Sequence, residues 1–221
     1  MQDALRIGVA VFNAGDRHAA HDAWEAQWLA LDDGTPDERL LHGLIQYAAA
    51  VHHARNRNWS GARGLAESAE RYLVGVDDRG VNVGEVRAYL RRLADDPEIA
   101  ERRSPVALRY EGDALEPTDL TFEEVATAAE ILANEYDAFD EAVVADAVRY
   151  ARDERGEAQD ETRDEEPPTD VASPRSRGFV GMLFEFAADR ERRALVYERL
   201  RGHVERRRGR ERDVSDSGLF E

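Results

Sequence analysis

The residues able to do chemistry gather in the first quarter of the chain. His21 and Glu25 stand four apart, a spacing that makes them neighbours on a helix surface. An imidazole and a carboxylate so placed suit two ligands of one metal ion, or an oriented acid–base pair. Asp22 adds a second carboxylate beside them. Further along, His42, Gln46, Ala49 and His53 fall on a single helical stripe. A hairpin of the two helices would bring His21 and Glu25 toward Gln46 and His53. The candidate polar pocket is therefore His21, Asp22, Glu25, Gln46, His53 and Asn58, with His21, Glu25 and His53 as metal ligands and a divalent metal as the implied cofactor.

Each of these residues also has a plain packing role. A histidine beside tryptophans is commonly a hydrogen-bonded core residue. Glu25 could simply bond the ring of His21. Gln46 could satisfy a buried backbone group, and Asn58 is a good helix N-cap. One His-x-x-x-Glu lacks the second histidine of the zincin motif. No phosphate loop, nucleophile elbow or dinucleotide fingerprint is present.

The elements that must position these groups read as helices. Leu5 to Phe12 is short and apolar, and Asn13-Ala14-Gly15-Asp16 interrupts it, with Asp16 as an N-cap. A second helix is expected from Arg17 to Leu31. Its apolar stripe is Ala20, Trp24, Trp28 and Leu31, with His21 at the edge and Glu25 on the rim. Thr35-Pro36-Asp37-Glu38 predicts a capped start with a capping box, and a third helix reaching Arg55. That helix is apolar over more than half its girth (Leu40, Leu41, Leu44, Ile45, Ala48, Val51) and should be central, with His52 pointing into the apolar face. Asn58 caps a fourth helix from Trp59 to Val74, where Gly61 and Ala62 permit close approach. A fifth spans Val83 to Ala94. Val106 to Tyr110 alternates as a short extended piece.

After residue 115, Thr121 and Glu124 form another capping box, and a helix follows from Ala138 to Asp153. Residues 154–176 are rich in Asp, Glu, Pro and Ser, so they cannot bury enough area to offset ordering entropy and read as a disordered linker. Phe179, Met182, Leu183, Phe186, Leu195, Val196 and Leu200 suggest one long amphipathic helix. Its end, Arg201 to Arg212, carries six arginines against two glutamates. The expected fold is thus all-α, a compact helical bundle with antiparallel hairpins. Its parts are a core domain (1–115), a helical hairpin extension (116–153), an acidic linker (154–176) and an amphipathic helix with a basic end (177–221).

Composition narrows the setting. The 221 residues include 47 acids and 30 bases, a formal charge of −17, and every base is arginine. Such a surface repels nucleic acid and anionic membranes, so nucleic acid is disfavoured as a partner and a membrane is not expected. High salt screens the self-repulsion. The acid-rich, lysine-free composition resembles cytosolic proteins of salt-accumulating haloarchaea, which points to a cytoplasmic location. The absence of cysteine excludes disulfides, thiolate metal sites and a thiol nucleophile, and fits a reducing compartment.

Three blocks together resemble a known family. They are Phe12-Asn13-Ala14-Gly15-Asp16 leading into His21-Asp22-Ala23-Trp24-Glu25-Ala26-Gln27-Trp28, then Leu41-His42-Gly43-Leu44-Ile45-Gln46-Tyr47-Ala48-Ala49-Ala50, then His53 with Asn58-Trp59-Ser60-Gly61-Ala62-Arg63. Over residues 5–75 the chain is similar to the domain-of-unknown-function 309 family of bacteria and archaea. The resemblance implies a small all-helical domain with no established activity. The family pattern usually has His-Glu where this chain has His21-Asp22, so the carboxylate is kept but shortened. It also favours glycine before the asparagine, where this chain has Arg57. The remainder looks like a haloarchaeal C-terminal extension.

Two classes of function follow. The first is a packing and interaction module, its amphipathic C-terminal helix docking on the body, on a second copy or on a protein partner. The second is a metal- or small-ligand-binding helical enzyme using His21, Glu25, Gln46 and His53, with hydrolysis through metal-bound water as the simplest chemistry.

Overall fold

A computed structural model of the chain describes residues 1–161 and 178–217, with side chains placed for 1–156 and 178–213. The described residues form ten α-helices and one 3₁₀ turn, with no strand among them, so the all-α expectation holds. The chain divides into two units, 1–120 and 121–221. None of the described helices is long and apolar enough to cross a membrane.

The first unit opens with α1 (Gln2–Asn13), whose residues Leu5, Ile7, Val9, Ala10, Val11 and Phe12 are all buried. Helix α2 (Arg17–Trp28) follows. Gly8 lets the two helices approach closely: a Cβ there would lie 2.0 Å from Nε1 of Trp24. Asp16 occupies the N-cap position of α2, but its side chain makes no cap hydrogen bond. Helix α2 ends at Trp28, three residues before the expected Leu31. The chain tightens there through short bonds from Ala30 N to Gln27 O and from Leu31 N to Trp28 O.

Helix α3 (Pro36–Arg55) matches its expected bounds, and α4 (Trp59–Tyr72) and α5 (Val83–Asp95) differ by two residues or fewer at each end. Leu40, Leu41, Leu44, Ala48 and Val51 of α3 are fully buried, which makes it the central helix of this unit, packed against both α2 and α4. The close-approach glycine is Gly43 rather than Gly61: a Cβ at 43 would meet Leu73 at 2.5 Å. Gly61 instead makes room for the side chain of its own N-cap, Asn58.

A four-residue helix, α6 (Ile99–Arg102), and the 3₁₀ turn Pro117–Asp119 complete the unit. The expected extended piece at 106–110 joins no sheet. It makes only isolated bridges, between Tyr110 and Val81 and between Tyr110 and Asp113. The amide of Asn13 serves as its partner instead, accepting from Leu108 N and donating to the carbonyls of Leu108 and Leu115, all at 2.9 Å.

The second unit holds α7 (Phe122–Glu135), α8 (Glu141–Glu161), α9 (Gly178–Ala188) and α10 (Arg193–Ser217). Thr121 and Glu124 form the expected capping box. Helix α8 runs eight residues into the segment expected to be a linker, and the rest of that expectation (162–176) lies outside the described residues.

The single long C-terminal helix is two helices. Asp189 breaks it, its carboxylate accepting from the Arg192 backbone as α10 begins. Helix α9 is apolar except for the exposed Glu185 and is buried against α7, α8 and α10. Arg193, 3% exposed, folds back onto the carbonyls of Phe186 and Ala187 and closes the C-terminus of α9. Leu195, expected on the apolar face, is 57% exposed. The basic end of α10 packs on α8: Arg208 pairs with Asp146 and bonds Ala142 O, while Arg149 and the Tyr150 hydroxyl hold Glu211. Asp146 loses some charge preference to burial, but Arg208 and Arg149 outweigh that and keep its carboxyl below the ordinary range.

Candidate functional site

The predicted pocket separates into three groups along the α2–α3 hairpin. Trp28 meets Glu38 and His42, and His18 meets His52, so the hairpin is antiparallel as expected. That register puts position 21 opposite Ala49 and position 25 opposite Ile45. Gln46 therefore lies opposite Trp24, one turn from the imidazole it was expected to join.

The first group lies on α2. Nδ1 of His21 is 2.9 Å from Oδ1 of Asp22, and both side chains are about one-third exposed, at 27% and 30%. His21, Asp22 and Glu25 each offer one ligand atom, all within 4.8 Å of one another. Ligand atoms about 2.1 Å from one ion at tetrahedral angles lie about 3.4 Å apart, so loading asks the side chains to draw in by up to about 1.4 Å. Sequence reasoning missed His18. Its ring stacks on His21 at 5.7 Å and meets His52 edge-on at the same separation. The signal was there in His18-x-x-His21-Asp22-x-x-Glu25, four side chains of a type able to bind metal on one stripe. His52 is exposed on the last turn of α3, not turned into the apolar face.

The second group ties α2, α3 and α4 together. Glu38, 6% exposed, accepts from Trp28 Nε1 at 2.7 Å, from Gly34 N at 3.2 Å and from His42 Nδ1 at 3.2 Å. Burial pushes its carboxyl up, but the hydrogen bonds from Trp28, His42 and Gly34 outweigh this and hold it below the ordinary carboxylate value. The predicted capping box at Thr35 is thus half made: Thr35 accepts from Glu38 N, and the Glu38 side chain turns to Trp28 and Gly34. His42 continues the chain, its Nε2 meeting Nε2 of Gln46 at 2.8 Å. The Nδ1–H tautomer of His42 satisfies both contacts. Its ring sits between Trp28, at 4.7 Å, and Tyr72 of α4, at 3.9 Å. Trp28 and Leu31 are only half-buried, unlike the fully buried Trp24 and Ala20 of the same stripe.

The third group is local. Asn58 accepts from Gly61 N at 3.1 Å as the cap of α4, and its amide nitrogen is 2.7 Å from Nδ1 of His53. His53 is engaged by the cap of α4 through that contact, and it is not part of the cluster of His21, Asp22 and Glu25.

Over this stretch the chain matches a described family. Residues 5–65 fit the family model "Domain of unknown function (DUF309)". All three groups fall within the DUF309 match except Tyr72. An uncharacterized protein of Aquifex aeolicus (strain VF5) is 31% identical over 110 residues, covering 49% of this chain and 32% of that protein. The match thus spans about a third of that relative's length.

Proposed function

We propose that the DUF309-matching unit is a helical scaffold presenting a divalent-cation site on α2, with His21, Asp22 and Glu25 as ligands. The observation that carries this is the convergence of their three ligand atoms within 4.8 Å on a partly exposed face. One imidazole and two carboxylates suit a borderline ion such as zinc, manganese or iron. Three protein ligands leave coordination positions open, so a hydrolytic reaction through metal-bound water is the chemistry such a site would support. Calorimetric titration with Zn²⁺ and with Mn²⁺ tests it. Saturable binding to the wild type, weakened at least tenfold in Glu25→Gln with the melting temperature of the metal-free protein unchanged, supports the site. Identical isotherms for the two proteins would overturn it.

A packing and interaction role is the second reading, and the Glu38 group favours it. Trp28, Glu38, His42 and Gln46 bond one another across two helices, with Tyr72 of a third against the His42 ring, so these polar groups act chiefly to fix helix register. On this reading a second copy or another protein is the partner. The excess of 47 acids over 30 arginines supports a haloarchaeal, cytoplasmic setting at molar salt, with nucleic acid disfavoured.

A further inference from the structure

A groove along α4 uses none of the side chains of the three polar groups. Residues Trp59, Arg63, Gly64 and Glu67 recur at helical spacing along one face of that helix. Opposite them, α5 ends at Asp95 and the chain turns through Asp96-Pro97-Glu98 into α6. The space between has a volume of about 650 Å³ and opens to solvent, with Arg63, Gly64, Glu67 and Asp95 exposed along it. Gly64 borders this open space: a Cβ there would meet nothing within 4 Å.

The charges of this groove divide into committed and uncommitted groups. Arg102 pairs with Asp96 and lies 3.7 Å from Glu98. Arg63, Glu67 and Asp95 make no ion pair among the described residues. One guanidinium and two carboxylates are therefore available in one groove, with the half-buried Trp59 indole as a wall.

We propose that this groove binds a free basic amino acid. Arg63 would take the ligand carboxylate as a bidentate pair, Glu67 and Asp95 would take its cationic head, and Trp59 would cover the apolar arm and add cation–π attraction. The site is independent of α2, so the fate of the cation site does not bear on it.

L-Arginine is the probe, titrated calorimetrically against the full chain. Agmatine, which keeps the cationic head but lacks the carboxylate, is the comparison. L-Arginine is expected to saturate and to bind at least tenfold tighter than agmatine. Arg63→Ala should reduce L-arginine to the agmatine level without weakening agmatine. Glu67→Gln should weaken both at least fivefold. Gly64→Leu should abolish binding of both with an unchanged circular dichroism spectrum, since its side chain projects into open space. Absence of saturable L-arginine binding would overturn the proposal. So would equal affinities for the two ligands, or affinities indifferent to Arg63→Ala and Glu67→Gln.

Discussion

The indole Nε1 of Trp28 donates to Oε1 of Glu38 at 2.7 Å, joining the last residue of α2 to the first turn of α3. The bond closes the loop between them, and the same carboxylate also holds Gly34 in that loop. Removing the acceptor leaves a half-buried indole N–H and the amide of the exposed Gly34 without their partner. Glu38→Ala should therefore cost about 1–3 kcal/mol, and Trp28→Phe, which keeps an aromatic ring but loses the donor, about 1–2 kcal/mol. Urea denaturation at pH 7 measures both.

The same carboxylate gives a pH signature. Its folded pKa lies below the ordinary value of 4.5, so its contribution is fully present above that value and is lost as pH falls through the folded pKa. The stability gap between wild type and Glu38→Gln should be constant from pH 7 to about 5.5 and shrink below pH 4.5. Denaturation midpoints measured between pH 7 and pH 3 read this directly. A gap that widens on acidification would contradict the assignment.

Gly8 should tolerate no side chain. A Cβ would sit 2.0 Å from Trp24 Nε1 and 2.2 Å from its Cε2, both in a fully buried ring. Gly8→Ala must push α1 from α2, at a cost of about 2–3 kcal/mol despite the better helix propensity of alanine. A thermal melt of this variant that equals the wild type would refute the packing.

Arg57 carries a backbone strain that its position explains. Its φ is +58°, the left-handed region where glycine is at ease, and the family that residues 12–63 resemble favours glycine there. Its ion pair with Glu101, at 2.8 Å, joins two exposed side chains and is screened by salt. Arg57→Gly should stabilise the protein by about 0.5–1 kcal/mol in molar KCl, and by less at low salt. Melting temperatures at the two ionic strengths decide it.

Much of this was readable in the sequence. Thr35, Asn58 and Thr121 cap where their side-chain chemistry predicts, and α3 begins and ends as its periodicity says. The register of the α2–α3 hairpin was not readable. Helical spacing assigns Gln46 and His53 to a face, but the pairing of Trp28 with Glu38 decides what that face meets. Glu38 was hidden because a capping-box glutamate and a buried network acid look identical in sequence. The break between α9 and α10 depends on Asp189 and on Arg193 reaching back to Phe186 and Ala187, contacts set by tertiary packing.

The convergence of His21, Asp22 and Glu25 is most directly tested by metal content. The protein should be purified in molar KCl without a histidine tag, loaded with Zn²⁺, dialysed and analysed by elemental mass spectrometry. One equivalent of zinc is expected in the wild type, lost in His21→Ala while the metal-free melting temperatures agree. Zinc retained by His21→Ala, or none retained by the folded wild type, would contradict the cation site.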